Sequence, residues 1–240
     1  KSPKILVVGD LMIDHYLWGS CERISPEAPV QVVSITGENT VLGGAGNVIN
    51  NLRALGAQVD VISVLGDCET SKELTNLLKK IDIDSKYLFP QKDRVTSKKS
   101  RIIAAQQQVL RYDRESYNEI SKESQNYFLE SFSTIVKNYD IVLMSDYGKG
   151  IFTFDLTQSL ISVANKANKK VLVDPKGLDY SKYIGAYLLT PNKKEASEAT
   201  NIIINNTESL TQAIISLKDQ CKLTFSLITL SEEGVAIYDD

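Results

Sequence analysis

The sequence predicts an α/β protein built on a doubly wound, mostly parallel sheet with a small β-sheet lid. Three observations support this fold class. Short apolar runs alternate with segments of helical periodicity along most of the chain, which is typical of parallel strands joined by crossover helices. Polar residues directly follow several of the apolar runs. Two pairs of strand-like segments, at about 14–38 and 95–113, have no helix between their members and are predicted to form the lid.

Length, charge and composition limit the classes of partner. The 240 residues are enough for one large α/β domain with a buried core, and we predict that this domain spans residues 1–240 with the lid strands inserted. A net charge of −3 does not favour binding to nucleic acid or to an anionic membrane. His15 is the only histidine, so a metal site with several histidine ligands is excluded.

The cysteines and the apolar runs indicate a compartment. Cys21, Cys68 and Cys221 form no C-x-x-C pair and have no zinc-site spacing, and their odd number favours a reducing environment. No apolar run approaches the length of a membrane-spanning helix. The first apolar run is also too short for the core of a signal peptide. The sequence therefore predicts a cytoplasmic protein.

The order of the predicted elements follows the α/β pattern. The first strand, Lys4-Ile5-Leu6-Val7-Val8, is mostly apolar, as expected of a strand that is buried on both faces of a sheet. Further strands are predicted at about 59–67, 141–144, 171–173, 187–189, 225–230 and 235–238. Helices are predicted at about 48–56, 69–80, 121–137 and 154–167, with two more between 190 and 224.

A glycine-rich segment, Gly43-Gly44-Ala45-Gly46-Asn47, precedes the first predicted helix. Glycines allow positive φ and let a ligand approach the backbone closely, and the first N–H groups of a helix can donate to hydroxyl or anionic oxygens. The spacing matches neither the G-x-x-x-x-G-K-[ST] phosphate loop nor the G-x-G-x-x-G dinucleotide loop. A tight turn packed before a core helix is the structural alternative.

Polar residues follow the first strand and three later ones. Asp10 and Asp14 follow the first strand, and segments 145–150, 174–176 and 190–195 follow the others. Because parallel strands deliver their carboxyl ends to the same edge of a sheet, we expect these residues to line an active site. Asp14 is the predicted acceptor of hydrogen bonds from sugar hydroxyls, whereas Asp10 suits the cap of a turn equally well.

Asn192 and Glu195 begin a predicted helix at positions i and i+3, so they share one of its faces. A carboxamide and a carboxylate placed in this way suit Mg²⁺, directly or through water, in a nucleotide-phosphate site. The same spacing fits a capping box, in which the two side chains bond to backbone N–H groups at the start of the helix. The spacing alone favours the capping box and leaves both interpretations open.

Together these motifs resemble those of the ribokinase-like, or PfkB-type, carbohydrate kinases over essentially the whole chain. The matching residues are Gly9-Asp10 with Asp14, the glycine-rich segment, and Asn192-Lys193-Lys194-Glu195 as the N-x-x-E motif of the family. Within the family the sequence looks most like the kinases of D-glycero-D-manno-heptose 7-phosphate. The matching segments for this group are 9–14, 23–30, 110–113, 145–150 and 173–176.

The resemblance implies that the γ-phosphoryl group of ATP is transferred to the C1 hydroxyl of the heptose 7-phosphate, which gives the 1,7-bisphosphate for ADP-heptose and lipopolysaccharide core biosynthesis. It implies three groups of site residues. The sugar would be bound by Asp14, Gly43, Gly44 and Asn47. The sugar phosphate would be bound by Arg111, Lys149 and Lys176, with Asp113 and Asp146 as orienting acceptors. Mg-ATP would be bound by Asn192, Lys193, Lys194 and Glu195, with Asn192 and Glu195 serving the Mg²⁺.

One motif that the resemblance implies does not occur in these 240 residues. The catalytic base of the family is an Asp in a G-A-G-D motif that opens a helix, and no such motif is found here. We therefore expect the base beyond Asp240 and assign no catalytic residue within the chain. The sequence is predicted to be an N-terminal fragment that lacks the C-terminal part of the fold, exposes apolar surface and is inactive alone.

Two alternatives remain open at the level of sequence. The acceptor could be another sugar or a nucleoside, or the chain could be a non-catalytic sugar-binding module, which the absent base motif favours. The exposed edges of a four-stranded lid predict a homodimer formed through the lid. The resemblance also implies that a nucleotidyltransferase domain can be fused downstream.

Overall fold

The computed structural model describes residues 2–239, which form two sheets and six α-helices. In chain order the elements are β1 (Lys4–Gly9), β2 (Leu11–Ile24), β3 (Gln31–Gly44), α1 (Ala45–Ala54), β4 (Gln58–Gly66), α2 (Glu69–Lys80), β5 (Leu88–Gln91), β6 (Ser97–Ala104), β7 (Gln107–Arg114), α3 (Lys122–Ile135), β8 (Ile141–Ser145), α4 (Phe154–Lys166), β9 (Lys170–Asp174), β10 (Leu188–Leu189), α5 (Lys193–Thr200), α6 (Thr207–Cys221), β11 (Phe225–Thr229) and β12 (Val235–Tyr238). Among the described residues, no helix combines the length and the apolar character needed to cross a membrane.

The larger sheet has eight strands in the order β12-β11-β10-β9-β8-β1-β4-β5. All neighbouring strands run parallel except β11 and β12. The predicted doubly wound, mostly parallel sheet is therefore confirmed. Sequence analysis missed the edge strand β5, because it has only four residues and contains Pro90, which is disfavoured inside a sheet.

The two faces of the larger sheet are covered unequally. Helices α3 to α6 pack on one face in a continuous hydrophobic core. On the other face, Val7 and Val61 are buried beneath α1 and α2. Farther along this second face, Leu143 and Leu172 lie in register with Val7 but are only half-buried, and Ile237 is 62% exposed. The exposed apolar surface that the sequence predicted lies here, on strands β8 to β12.

The smaller sheet has four strands in the order β3-β2-β6-β7. Strands β2 and β6 pair in parallel, and the other two pairs are antiparallel. Strands β2 and β3 are longer than the segments expected from the sequence, and β3 runs through Gly44 directly into α1. The glycine-rich segment is therefore a junction between a strand and a helix and not a free loop.

Candidate active site

The junction between β3 and α1 places a carboxylate directly over a glycine. Gly44 is the N-cap of α1 and has φ +55°, a conformation that favours glycine. A Cβ atom at Gly43 would lie only 2.3 Å from Oδ2 of Asp14. The absence of a side chain at Gly43 therefore makes room for the Asp14 carboxylate beside the N-terminus of α1, where backbone N–H groups lack helical partners.

The Asp14 carboxylate is part of an ion pair within the smaller sheet. Arg101 on β6 donates from Nη1 to Oδ1 of Asp14 over 2.6 Å, and each side chain is 21% exposed. The guanidinium of Arg101 also lies 5.3 Å from the ring centre of Tyr16. Asp14 thus projects from a strand and is open to solvent on one side, as a ligand-binding carboxylate requires.

Charged residues of both signs share this face of the smaller sheet. Asp14 is opposite Lys99 on β6, which in turn is opposite Asp113 on β7, and Arg101 is opposite Arg111. Directly opposed residues project to the same face. Arg111 contacts Asp113 through two bonds, Nε to Oδ1 over 3.0 Å and Nη2 to Oδ2 over 2.7 Å. The hydrogen bonds from Arg111 lower the pKa of Asp113.

Asp10 is buried between β1 and the turn after β8. Its Oδ2 atom accepts hydrogen bonds from the backbone N–H groups of Tyr147 (2.8 Å) and Lys149 (3.2 Å). Burial, together with repulsion from Asp146, raises the pKa of Asp10 to about 6. Asp10 therefore fixes the 146–150 turn, so the structure supports the capping interpretation for this residue.

Two predicted phosphate-site residues in the same turn are held by protein groups. Asp146 accepts hydrogen bonds from the Gly148 N–H (2.7 Å), Lys182 Nζ (2.6 Å) and the Tyr183 hydroxyl (2.6 Å), and its side chain is 1% exposed. Its contacts maintain the shape of the turn. The Lys149 ammonium donates to Oε2 of Glu115 over 2.7 Å and is 11% exposed.

Asn192 and Glu195 form a complete capping box at the start of α5. Asn192 Oδ1 accepts a hydrogen bond from the Glu195 N–H over 2.9 Å, and Glu195 Oε2 accepts one from the Asn192 N–H over 3.1 Å. The other Glu195 oxygen, Oε1, lies 3.2 Å from Nζ of Lys176. Lys176 thus contacts α5 through its ammonium group, and its Cγ lies 3.7 Å from where a Cβ at Gly148 would be, in the turn that also carries Lys149.

A cavity of about 500 Å³ opens next to this capping box, at the carboxyl ends of β9, β10 and β11. Leu143 and Leu172 form part of its apolar wall, and Asp174, Asn192 and Glu195 supply polar groups. Burial, and then repulsion from Glu195, raises the pKa of Asp174 to about 6. The cavity is therefore large enough for a small organic ligand and has two neighbouring carboxylates at its rim.

Comparison with known proteins identifies the family. Residues 2–240 match the family described as pfkB family carbohydrate kinase. The chain belongs to this family. Among curated proteins, it is 60% identical over 240 residues to "Bifunctional protein HldE" of Aliarcobacter butzleri (strain RM4018), covering 100% of this chain and 50% of the relative. The protein of the same name from Sulfurimonas denitrificans (strain ATCC 33889 / DSM 1251) is 60% identical over 239 residues, with 100% and 50% covered. The chain spans about half the length of the curated relatives it matches.

Solved structures show the same fold at low sequence identity. Arabidopsis thaliana ribokinase complexed with ribose and ATP has a TM-score of 0.73 and 17% identity, and the match covers 100% of this chain and 76% of that one. Phosphofructokinase-2 from Escherichia coli in complex with fructose-6-phosphate has a TM-score of 0.76 and 18% identity, with 100% and 78% covered. The predicted ribokinase-like fold is therefore confirmed.

The structure places the pfkB-family motifs in two groups. Asp14, Gly43, Gly44 and Asn47 lie where the smaller sheet meets α1, and Arg111 and Asp113 project from the same face of that sheet as Asp14. The motif at 192–195 lies at the start of α5, where Lys193 and Lys194 pair with Glu233 (4.0 Å) and Glu198 (3.7 Å). The expected position of the base, beyond Asp240, lies outside the described residues.

Sequence analysis missed four residues that contact this site. Lys99 and Arg101 were assigned no role, although their i, i+2 spacing on a strand puts them on one face. Glu115 and Lys182 pair with Lys149 and Asp146. These partners are far apart in sequence, so no local pattern indicates the pairs.

The oxygen groups at the cavity are compatible with Mg²⁺. Between residues 2 and 239, no group of three or more His, Cys, Asp or Glu side chains is arranged to hold a metal ion by itself. Mg²⁺ usually needs only one or two carboxylates, because water and nucleotide phosphates supply its other ligands. Asp174 and Glu195 provide two such carboxylates, and Asn192 fixes the helix terminus that carries Glu195.

The raised pKa of Asp174 predicts a pH-dependent stabilisation by the Asp174→Asn substitution. Between about pH 4 and pH 6 the unfolded state ionises Asp174 before the folded state does, so wild-type stability falls as the pH rises through this range and the full penalty is present above pH 6. Asn carries no such penalty. We expect the variant to be more stable at pH 8 by about 1 kcal/mol, allowing for partial solvent exposure.

Urea denaturation at pH 4.5 and pH 8 measures this effect. The advantage of the variant should shrink at the lower pH. Asp82→Asn is the matched control, because the Asp82 side chain is 89% exposed. An advantage that is the same at both pH values would contradict the assignment.

Proposed function

We propose that this chain forms the acceptor-binding and nucleotide-binding part of an ATP-dependent sugar kinase that phosphorylates D-glycero-D-manno-heptose 7-phosphate at the C1 hydroxyl. Membership of the pfkB family supports sugar phosphorylation, and the heptose-kinase motifs of the sequence support this acceptor. The observation that carries the proposal is the Asp14 carboxylate over Gly43 at the N-terminus of α1. A carboxylate and free backbone N–H groups together match the donor and acceptor pattern of sugar hydroxyls.

The acceptor sugar binds, in this proposal, at the junction of β2, β3 and α1. Asp14 accepts hydrogen bonds from the hydroxyls, and Gly43 and Gly44 allow the sugar ring to approach the backbone. Asn47, in the first turn of α1, supplies a carboxamide. An incoming hydroxyl competes with Arg101 for Asp14, and each partner keeps access to water during the exchange because both are partly exposed.

The phosphate of the acceptor binds on the same side, to Arg111 and Lys149. Arg111 is 43% exposed and presents a guanidinium that suits a phosphate. Asp113 holds it through two hydrogen bonds. Asp146 acts through the turn that carries Lys149. We assign Lys176 to the nucleotide side, because its ammonium group contacts Glu195.

The nucleotide binds, in this proposal, at the cavity beside α5. Asn192 and Glu195 keep the N-terminus of α5 in place, and Lys193 and Lys194 add positive charge at this terminus. Asp174 and Glu195 would hold Mg²⁺, with Asn192 nearby. When bound, the ion would neutralise charge on the phosphates of ATP.

Phosphoryl transfer depends mainly on positioning and charge stabilisation, and the described residues can supply both. Asp14 orients the acceptor, and the cations of the smaller sheet and of the 146–150 turn hold its phosphate. The smaller sheet can exclude water from the reacting groups if it lies over the bound sugar. We place the catalytic base outside this chain, so the 240 residues alone are expected to bind ligands without turnover.

Substitution of Gly43 tests the sugar site. In Gly43→Ala the new Cβ would lie 2.3 Å from Asp14 Oδ2, so the Asp14 side chain must move. The fold should persist, because the nearest atom belongs to the end of a side chain. We expect affinity for heptose 7-phosphate, measured by isothermal titration calorimetry, to fall about tenfold or more.

Gly37→Ala is the matched control for this test. It lies on the same strand, and a Cβ there would meet nothing within 4 Å. Its affinity should equal that of the wild type. Equal affinity in both variants would remove Asp14 and Gly43 from the sugar site.

A coupled ADP-release assay with ATP, Mg²⁺ and heptose 7-phosphate tests the reaction. The complete gene product should release ADP, and the 240-residue chain should not, because the base is expected elsewhere. Release with a different sugar or a nucleoside only would make the heptose assignment wrong. If the complete product releases ADP with no acceptor of a broad panel, phosphoryl transfer is wrong and a sugar-binding module replaces it.

We propose that the complete protein has a nucleotidyltransferase domain, in keeping with the name and length of the curated relatives.

We also propose that two copies of the chain associate through the smaller sheet. Trp18, Ile35 and Leu110 on this sheet are 40%, 45% and 52% exposed. Ile35 and Leu110 lie on the edge strands β3 and β7, and Trp18 lies on the inner strand β2. Such large exposed apolar side chains on a small sheet favour burial against a second copy.

Light scattering tests the association of the 26.6 kDa chain. The wild type should have twice the mass of one chain, and Leu110→Glu should be a monomer, because it places a charge at the edge strand β7. Leu178→Glu, at a side chain that is 68% exposed outside both sheets, should remain dimeric. A monomeric wild type, or a dimeric Leu110→Glu variant, would reject this interface.

A further inference from the structure

Glu115 is a buried carboxylate to which neither the motifs nor the proposed reaction assign a role. It follows directly after β7, and its side chain is only 3% exposed. Its Oε2 atom accepts hydrogen bonds from Lys149 Nζ over 2.7 Å and from the Tyr117 hydroxyl. Its Oε1 atom lies 3.9 Å from Lys99 Nζ and has no hydrogen-bond partner among the described residues. A carboxylate this deeply buried is costly unless its partners compensate for its charge.

The partners of Glu115 come from three separate parts of the chain. Lys99 lies on β6, in register with Asp14. Lys149 lies in the turn that Asp10 holds after β8. The Tyr117 ring lies 4.1 Å from the Lys149 ammonium. Glu115 thus connects the smaller sheet to the turn of the larger one. Although burial opposes ionisation, the hydrogen bonds from Lys149 and Tyr117 lower its pKa, so the carboxylate is charged at neutral pH.

Geometry leaves part of the Lys149 ammonium free for a ligand. An ammonium group has three N–H donors. One donates to Glu115, and the Tyr117 ring covers another side. The backbone carbonyl of Lys149 accepts a hydrogen bond from Arg94, so the main chain at this residue is also fixed. The remaining donor can reach an anion without breaking the pair, because the side chain is 11% exposed.

We infer that Glu115 is a positioning residue, which holds the ammonium groups of Lys149 and Lys99 where they bind the phosphate of the acceptor sugar. This inference rests on the proposed function for the nature of the ligand. Without the carboxylate, Lys149 has no anionic partner in a largely buried position, so its ammonium group moves toward water and leaves the phosphate. Glu115 acts through the two lysines and does not contact the acceptor itself.

The experiment is a set of steady-state assays on the complete gene product with heptose 7-phosphate and ATP. Glu115→Gln should raise KM for the sugar phosphate about tenfold, while kcat and KM for ATP stay within about twofold. Glu115→Asp keeps the charge and should recover part of the loss. In a Lys149→Met background, Glu115→Gln should have a much smaller effect, because the residue through which it acts is already gone.

Glu73→Gln is the matched control. Glu73 also pairs with a lysine of β6, Lys98, over 3.0 Å. Lys98 is adjacent to Lys99 and therefore projects to the opposite face of the strand. This variant should leave both KM values unchanged. The inference is overturned if Glu115→Gln lowers kcat and the melting temperature without a change in KM, or if its effect is equally large in the Lys149→Met background.

A second measurement keeps the inference separate from the proposed function. Lysine side-chain ¹H–¹⁵N spectra of the wild type should show an ammonium signal for Lys149 that is protected from exchange, assigned by its loss in Lys149→Met. In Glu115→Gln the protection should disappear. Absence of kinase activity in the wild type would contradict the proposed function and not the positioning of Lys149. An unchanged Lys149 signal in Glu115→Gln would overturn the positioning role, whether or not the wild type is active.

Discussion

The buried residue Asp10 joins the three segments on which the candidate site depends. Its N–H donates to the carbonyl of Ser145 (3.2 Å) and its carbonyl accepts from Ala45 at the start of α1 (3.1 Å). Its carboxylate accepts from Tyr147 and Lys149 in the turn after β8. One residue therefore sets the end of β1, the start of α1 and the turn in fixed relation. The raised pKa of Asp10 reflects the cost of keeping this carboxylate out of water.

The charged residues of the smaller sheet differ from the buried Asp10 in their exposure to solvent. Asp14, Lys99 and Asp113 alternate in sign across one face, whereas Arg101 and Arg111 are opposed with like charge, and these side chains are partly exposed. Exposed ion pairs contribute only about 0–1 kcal/mol each. Replacing the protein partner of Asp14 or Arg111 by a ligand group therefore costs little free energy. At Glu115 and Asp146 the same exchange would leave a buried charge unpaired, so these two residues suit a supporting role.

Much of the fold could be predicted from the sequence, because local patterns determine it. Apolar runs identified the parallel strands, and the 69–80 prediction for α2 agrees with its bounds, Glu69–Lys80. The extent of β2 and β3 could not be predicted, since their outer halves carry polar residues in no clear alternation. At 192–195 the sequence allowed a capping box or ligand binding. The capping box is present in the structure, and Glu195 also lines the cavity.

Pairings between distant residues account for what sequence analysis missed at the site. Arg101 and Asp14 are 87 positions apart, and Lys149 and Glu115 are 34 apart. Their proximity follows from the parallel pairing of β2 with β6 and from the return of the chain after β7, neither of which a local pattern indicates. Lys176 is a further example. Its contact with Glu195 joins the segment after β9 to α5, and this pairing of two elements could not be read from a local pattern either.

The two groups of site residues differ in charge in a way that suits the proposed reaction. At the carboxyl ends of β9 and β10, burial and then repulsion from Glu195 raise the pKa of Asp174, so a cation bound there would relieve an unfavourable interaction. On the smaller sheet and the 146–150 turn the charges are mixed, but Arg111 is 43% exposed, so an anion can reach its guanidinium. In the proposed reaction the phosphate of the acceptor would bind at the exposed guanidinium and Mg²⁺ at the two carboxylates. The charges at the two positions are those that this proposal requires.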